Sequence, residues 1–150
     1  MAKVLVVGGG WAGVAASLAA SKAGVDVALL ERTDQLLGTG LVGGIMRNNG
    51  RYTAAEEAIA LGFGDLFQLT DSVSRHRDIE FPGHRHASLY DVALVEPAVR
   101  NLLGDHQVEV LLEARVVDAQ MDGKAIRSVV TADGQTLEAD VFVEATGTAG

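Results

Sequence analysis

The segment Gly8-Gly9-Gly10-Trp11-Ala12-Gly13 most constrains what this chain can fold into, because glycines at G-x-G-x-x-G spacing sit there between two apolar stretches of different period. Ahead of it, Lys3-Val4-Leu5-Val6-Val7 is short and β-branched, as in a strand buried on both faces of a parallel sheet. Behind it, Trp11 to Ala23 is an alanine-rich helical run closed by Gly24, the residue type that ends helices in the left-handed region. Val25 to Leu30 is a second apolar strand. A strand, a tight turn, a helix and a strand within about 30 residues make a βαβ unit. The crossover is right-handed and leaves the two strands parallel and adjacent.

Each glycine in the turn has its own reason to lack a side chain. Gly8 permits the tight bend, Gly10 lets the backbone approach a diphosphate, and Gly13 brings the helix close to the strand. The first helical turn, starting at Trp11 and Ala12, offers unpaired N–H groups and a partial positive charge to that diphosphate. Glu31 closes the second strand, where a carboxylate can accept both hydroxyls of a ribose. A hydrogen bond of this charged type contributes roughly 1.5–3 kcal/mol. The same carboxylate repels a 2′-phosphate. The pattern is that of a dinucleotide site, for FAD or NAD.

The rest of the chain bears on that choice. Gly38, Gly40, Gly43, Gly44 and Gly50 punctuate a long loop after Glu31. Thr53-Ala54-Ala55-Glu56 is a capping box that starts a helix running to about Leu61. From Gly62 to Tyr90 the pattern is mixed, with helical fragments and a turn at Phe81-Pro82-Gly83. Asp91 caps a helix reaching Leu103, which Pro97 is expected to kink or delay. Val108 to Leu112 is a strand; Val116 to Ala119 and Ile126 to Val130, with turns at Asp122-Gly123 and Asp133-Gly134, form antiparallel strands. Val141 to Ala145 returns to a buried strand. In an NAD domain the second βαβ unit follows at once, whereas here about 75 residues of loop and helix precede the strand at Val108. That spacing favours FAD.

Composition sets the remaining bounds. The 150 residues fit one domain, and a net charge of −8 argues against a nonspecific nucleic-acid surface. The absence of cysteine excludes disulfides, Cys-ligated metal and a CxxC relay within the chain. Redox chemistry would therefore reside on a bound organic cofactor or on a partner. The apolar run after Lys3 is broken by Gly8 to Gly10, unlike a signal peptide, and no stretch is long enough to span a membrane. The expected location is cytoplasmic. His84-x-His86 has metal-ligand spacing but no carboxylate arranged with it, so no metal site is expected. Arg47, Asn48 and Asn49 are candidates for a substrate carboxylate.

Along its whole length the chain resembles the FAD-dependent oxidoreductases of the glutathione-reductase structural class. The resemblance rests on Val6 to Gly13, Glu31-Arg32 with Leu37-Gly38, Val108 to Val117, and Ala139 to Gly147 ending in Ala145-Thr146-Gly147. It implies an α/β, Rossmann-like FAD-binding domain: a central parallel sheet, a right-handed βαβ unit and an inserted antiparallel hairpin or meander. It further implies that the backbone of Val116 meets the adenine, and that Arg32 lies near the adenosine. The loop from Gly38 through Gly40 to Gly44 would approach the ribityl chain or the flavin ring, and Ala145, Thr146 and Gly147 would lie close to the cofactor. Trp11 departs from the family, which has a smaller residue there; it is expected to cover the pyrophosphate or contact another chain.

Residues 1–150 then make one FAD-binding domain that holds the ADP part of FAD in a subunit or processed fragment of a dehydrogenase or oxidase acting on a small organic substrate. A second polypeptide is expected to complete the flavin and substrate site. Two alternatives stay open at this stage: an NAD-binding module of a nicotinamide enzyme, and a noncatalytic structural subunit of a flavoprotein complex.

Overall fold

A computed structural model of the chain describes residues 2–45, 47–48, 59–62, 64–82 and 84–147. Alternation along the first two strands decides the layering. Strand β1 (Lys3–Val7) and strand β2 (Asp26–Leu30) pair in parallel, Leu5 opposite Ala28 and Val6 opposite Leu29. Val6, Val27 and Leu29 pack to one side with Val14 and Leu18 of helix α1 (Trp11–Lys22). Leu5, Ala28 and Leu30 pack to the other with Val129. Both strands are thus covered on both faces, as their unbroken apolar runs require. Helix α1 ends as expected, with Gly24 at φ +79° just beyond its last turn.

After the loop behind β2 come a single 3₁₀ turn (Gly38–Gly40) and a short strand β3 (Arg47–Asn48). Helix α2 (Asp65–Ser72) follows, then strands β4 (Ser74–Phe81) and β5 (His84–Tyr90). β4 and β5 pair antiparallel, with β3 on the far side of β5. A turn stands at Pro82, as expected, while Gly83 lies outside the described residues; the strands on either side are not part of the expectation. The segment between Leu30 and Val108 therefore contains a sheet of its own, and not only loop and helix. The capping box at Thr53 to Glu56 lies outside the described residues.

Helix α3 (Val92–Asp105) is not delayed by Pro97, which corrects that part of the expectation. Asp91 is its N-cap, the side chain accepting from the Ala93 N–H at 2.8 Å. The helix starts at once and runs through Pro97. Proline removes only the donor that would meet the Ala93 carbonyl, and Ala93 lies on the exposed side, where water can replace it. Val95, Val99 and Leu103 cover the same face of the parallel sheet as α1.

Strand β6 (Glu109–Leu111) then joins β2 in parallel. Strands β7 (Val116–Asp122), β8 (Ala125–Thr131) and β9 (Thr136–Glu138) form an antiparallel meander on the opposite face, and β10 (Val141–Glu144) pairs in parallel with β1. The parallel sheet has the order β10-β1-β2-β6. The fold is α/β, with helices on one face of this sheet and a meander on the other. β10 corrects the expectation of a buried strand: it is an edge of the described sheet, and Val141 is 50% exposed. Apolar composition marks a strand for burial without saying how many neighbours it has.

Candidate cofactor-binding site

The carboxyl ends of β1, β2 and β10 come together with the start of the meander around a cavity of about 770 Å³, within the size range of small-molecule pockets. Its rim brings Gly8, Glu31, Arg32, Val116, Thr146 and Gly147 together, residues far apart in the chain. Arg115 and Phe142 also line it. Open α/β sheets place ligands in this position, outside the carboxyl ends of their strands.

The glycine turn has the geometry its spacing implies. Gly8 has φ +107°, and a Cβ there would come within 2.5 Å of the Ala145 carbonyl oxygen. A Cβ on Gly13 would overlap the Gly8 carbonyl oxygen. Gly10 differs, since nothing lies within 4 Å of a Cβ built on it. It is the N-cap of α1, and no side chain caps that terminus or competes for its N–H groups. An anion is the natural complement of such a terminus.

Glu31 is buried at 7% exposure, and its carboxylate is held by the chain itself. The Gly9 N–H donates to Oε2 at 2.8 Å, the Thr33 N–H to Oε1 at 2.8 Å, and the Thr33 hydroxyl to Oε1 at 3.0 Å. Around it β2 is extended toward β6 by bonds from Glu31 N–H to Leu111 O and from Ala114 N–H to Glu31 O, both 2.9 Å. Across the cavity, the Thr146 hydroxyl and N–H both donate to Glu144. These two bonds, the hydroxyl first, hold the Glu144 carboxyl below its ordinary pKa. The cavity wall thus carries two carboxylates and two guanidinium groups, those of Arg32 and Arg115.

The loop after Glu31 is fastened to the glycine turn. Leu37, at φ +72° and fully buried, donates its N–H to the Gly9 carbonyl at 2.7 Å and forms a bridge with Gly10. Trp11 packs edge to face on Tyr90, ring centroids 5.8 Å apart and planes at 63°. The Tyr90 hydroxyl donates to the Gly40 carbonyl, and a Cβ on Gly40 would run into the Trp11 indole. The large side chain at position 11 is therefore accommodated by the absence of one at position 40. Burial raises the Tyr90 pKa, and a hydrogen bond from Trp11 works against that shift.

Of the residues expected at the site, Gly10, Trp11, Ala12 and Gly13 shape the helix terminus that follows Gly8, and the Ala145 carbonyl backs Gly8; none of these five lines the cavity itself. Gly38, Gly40 and Gly44 belong to the fastened loop and do not line the cavity; Gly44 donates its N–H to Leu41 O at 3.0 Å. Sequence reasoning missed Thr33, Tyr90, Arg115 and Phe142. For Thr33 a signal existed, a hydroxyl two residues after a buried acid. Asn49 lies outside the described residues, and only the backbones of Arg47, Asn48, His84 and His86 are described.

A family model described as FAD dependent oxidoreductase matches residues 3–150. The chain belongs to that family. Its members use FAD, so the cofactor is FAD, and the reading as an NAD module is set aside. In this family the chain is 32% identical over 150 residues to the tRNA uridine 5-carboxymethylaminomethyl modification enzyme MnmG of two Thermus thermophilus strains. The match covers 97% of the chain but 25% of those enzymes, so the chain spans about a quarter of their length. Among solved structures, the Diels-Alderase PyrE3 of pyrroindomycin biosynthesis superposes with a TM-score of 0.67 at 20% identity, covering 99% of this chain and 33% of that one. The tetracycline destructase Tet(51) gives 0.65 at 22% identity, covering 98% and 39%. At such identities these two speak for the fold alone. Among the described residues, no helix is long and apolar enough to cross a membrane.

Proposed function

We propose that the cavity takes the adenosine of FAD and the terminus of α1 its diphosphate, in a dehydrogenase or oxidase that acts on a small organic molecule. The observation that carries this reading is the convergence of Gly8, Glu31, Arg32 and Val116 on one cavity, with the α1 terminus, which no side chain caps, starting two residues after Gly8. Glu31 accepts from the ribose. The open space at Gly10 admits the diphosphate to the first-turn N–H groups, with no side chain to displace. Backbone at Val116, together with the apolar wall of the meander and Phe142, excludes water from the adenine. Arg32 and Arg115 offset the negative charge of the diphosphate. FAD, when bound, supplies hydride acceptance, and the protein's part is to bind and orient it.

The chain spans about a quarter of its curated relatives. Polypeptide beyond residues 1–150, as a second chain, completes the flavin and substrate sites on this reading. The tRNA substrate named for the relatives does not carry over with the matched quarter, and the charge of −8 favours a small molecule over a polyanion.

Purification under native conditions, acid release of bound nucleotide and mass spectrometry test the reading. Stoichiometric FAD that is lost in Gly10→Val supports it. A bound nicotinamide dinucleotide, or FAD retained in full by Gly10→Val, contradicts it.

A further inference from the structure

An ionised carboxylate has about four lone-pair sites. Three donors of the chain already reach Glu31: the Gly9 N–H at Oε2, and the N–H and hydroxyl of Thr33 at Oε1. Oε1 is thereby filled, while Oε2 keeps one site. A ribose presents two adjacent hydroxyls, and a bidentate contact needs one acceptor site on each oxygen. Without some rearrangement Glu31 can read only one hydroxyl.

The rearrangement is at hand in Thr33. Its hydroxyl carries a single proton and has a second acceptor within reach, the Gln35 carbonyl at 2.9 Å against 3.0 Å for Glu31 Oε1. Turning the proton from one to the other moves no heavy atom. The backbone that presents it is pinned, since Glu113 donates its N–H to the Thr33 carbonyl at 2.9 Å.

We infer that Thr33 is a positioning residue: its hydroxyl satisfies Glu31 while the ribose is absent and turns to the Gln35 carbonyl when the second ribose hydroxyl arrives. This rests on the reading of Glu31 as the ribose acceptor. The first hydroxyl enters the open site on Oε2. The second must displace an existing hydrogen bond, so it adds little affinity in the native protein. Removing the Thr33 hydroxyl leaves Oε1 with an empty site, and the second ribose hydroxyl then gains a full charged hydrogen bond.

Calorimetric titration with ADP and with 2′-deoxy-ADP separates the two states. The ratio of the two dissociation constants should rise about fivefold in Thr33→Val, a modest share of what a charged hydrogen bond contributes. It should stay at the wild-type value in Thr33→Ser, which keeps the proton. Thr33→Ala is the second hydroxyl-free variant, and the ratio must rise there too. An unchanged or lower ratio in Thr33→Val and Thr33→Ala overturns the inference. If Glu31→Gln binds ADP as tightly as wild type, the ribose assignment of Glu31 fails instead, and the inference with it.

Discussion

At the scale of single residues, the three motif glycines are not equivalent. Gly10 is extended and surrounded by empty space, whereas Gly13 is pressed on the Gly8 carbonyl. Gly10→Val should cost about 1 kcal/mol of stability, as for a poor N-cap, while abolishing FAD binding. Gly13→Ala should cost about 1–3 kcal/mol or more through overpacking. Urea unfolding of the two variants, each with a parallel flavin titration, checks the contrast. Glu31→Arg should lose FAD and also leave the Gly9 N–H without its acceptor. Glu31→Asp should bind FAD more weakly than wild type but better than Glu31→Arg, because it keeps a carboxylate while drawing it back from Gly9. Flavin absorbance after gel filtration ranks the three proteins; equal retention in all three would contradict the role of Glu31.

These residues were legible in the sequence because each answers a local demand: a positive φ at Gly8, an approach at Gly10, an acid at the end of a strand. Thr33 and Tyr90 were not, for the opposite reason. Tyr90 reaches Gly40 from 50 residues further along the chain and packs there on Trp11, and nothing in the neighbouring sequence announces that meeting.

At the scale of elements, short apolar runs located β1 and β2, an alanine-rich run closed by Gly24 located α1, the Asp91 cap located α3, and the Asp-Gly turns located the meander. The hairpin β4–β5 was missed because its sequence is charged and its alternation interrupted. Register shifts occur between Ser74 and His76, His76 and Ile79, and Ile79 and Phe81. Backbone pairing holds the two strands together, and that leaves no apolar trace to read.

Helices α1, α2 and α3 are joined by polar contacts as well as by the core. Asp65 at the start of α2 meets Lys22 of α1 at 2.7 Å and His106, just past α3, at 3.4 Å. The Lys22 hydrogen bond chiefly, then the charges of Lys22 and His106, hold the Asp65 carboxyl below its ordinary pKa against a partial desolvation. A depressed folded pKa stabilises the protein above the unfolded value and loses that contribution as pH falls through the folded one. The side chain is 36% exposed, so solvent screening reduces the effect. Wild type should exceed Asp65→Asn in stability by under about 1 kcal/mol near neutral pH. The difference should shrink as pH falls below the ordinary aspartate range and through the lowered folded pKa. Urea midpoints of the two proteins across that range measure it, and a gap that widens on acidification would show the opposite sign.

At the scale of the whole molecule, the sheet gathers the carboxyl ends of β1, β2 and β10 at one edge of a layered fold, and the meander closes over them. The helix-covered face supplies the rigid support; the meander face supplies the cavity. The adenine nucleotide is therefore expected at the carboxyl ends of β1 and β2, against the meander. Amide chemical shifts followed by NMR during titration with ADP test it most directly. The prediction is that Gly9, Gly10, Ala12, Arg32, Val116 and Thr146 shift together and saturate with one affinity, while β4 and β5 do not move. Shifts centred on that hairpin, or none at the carboxyl ends of β1 and β2, would contradict the account.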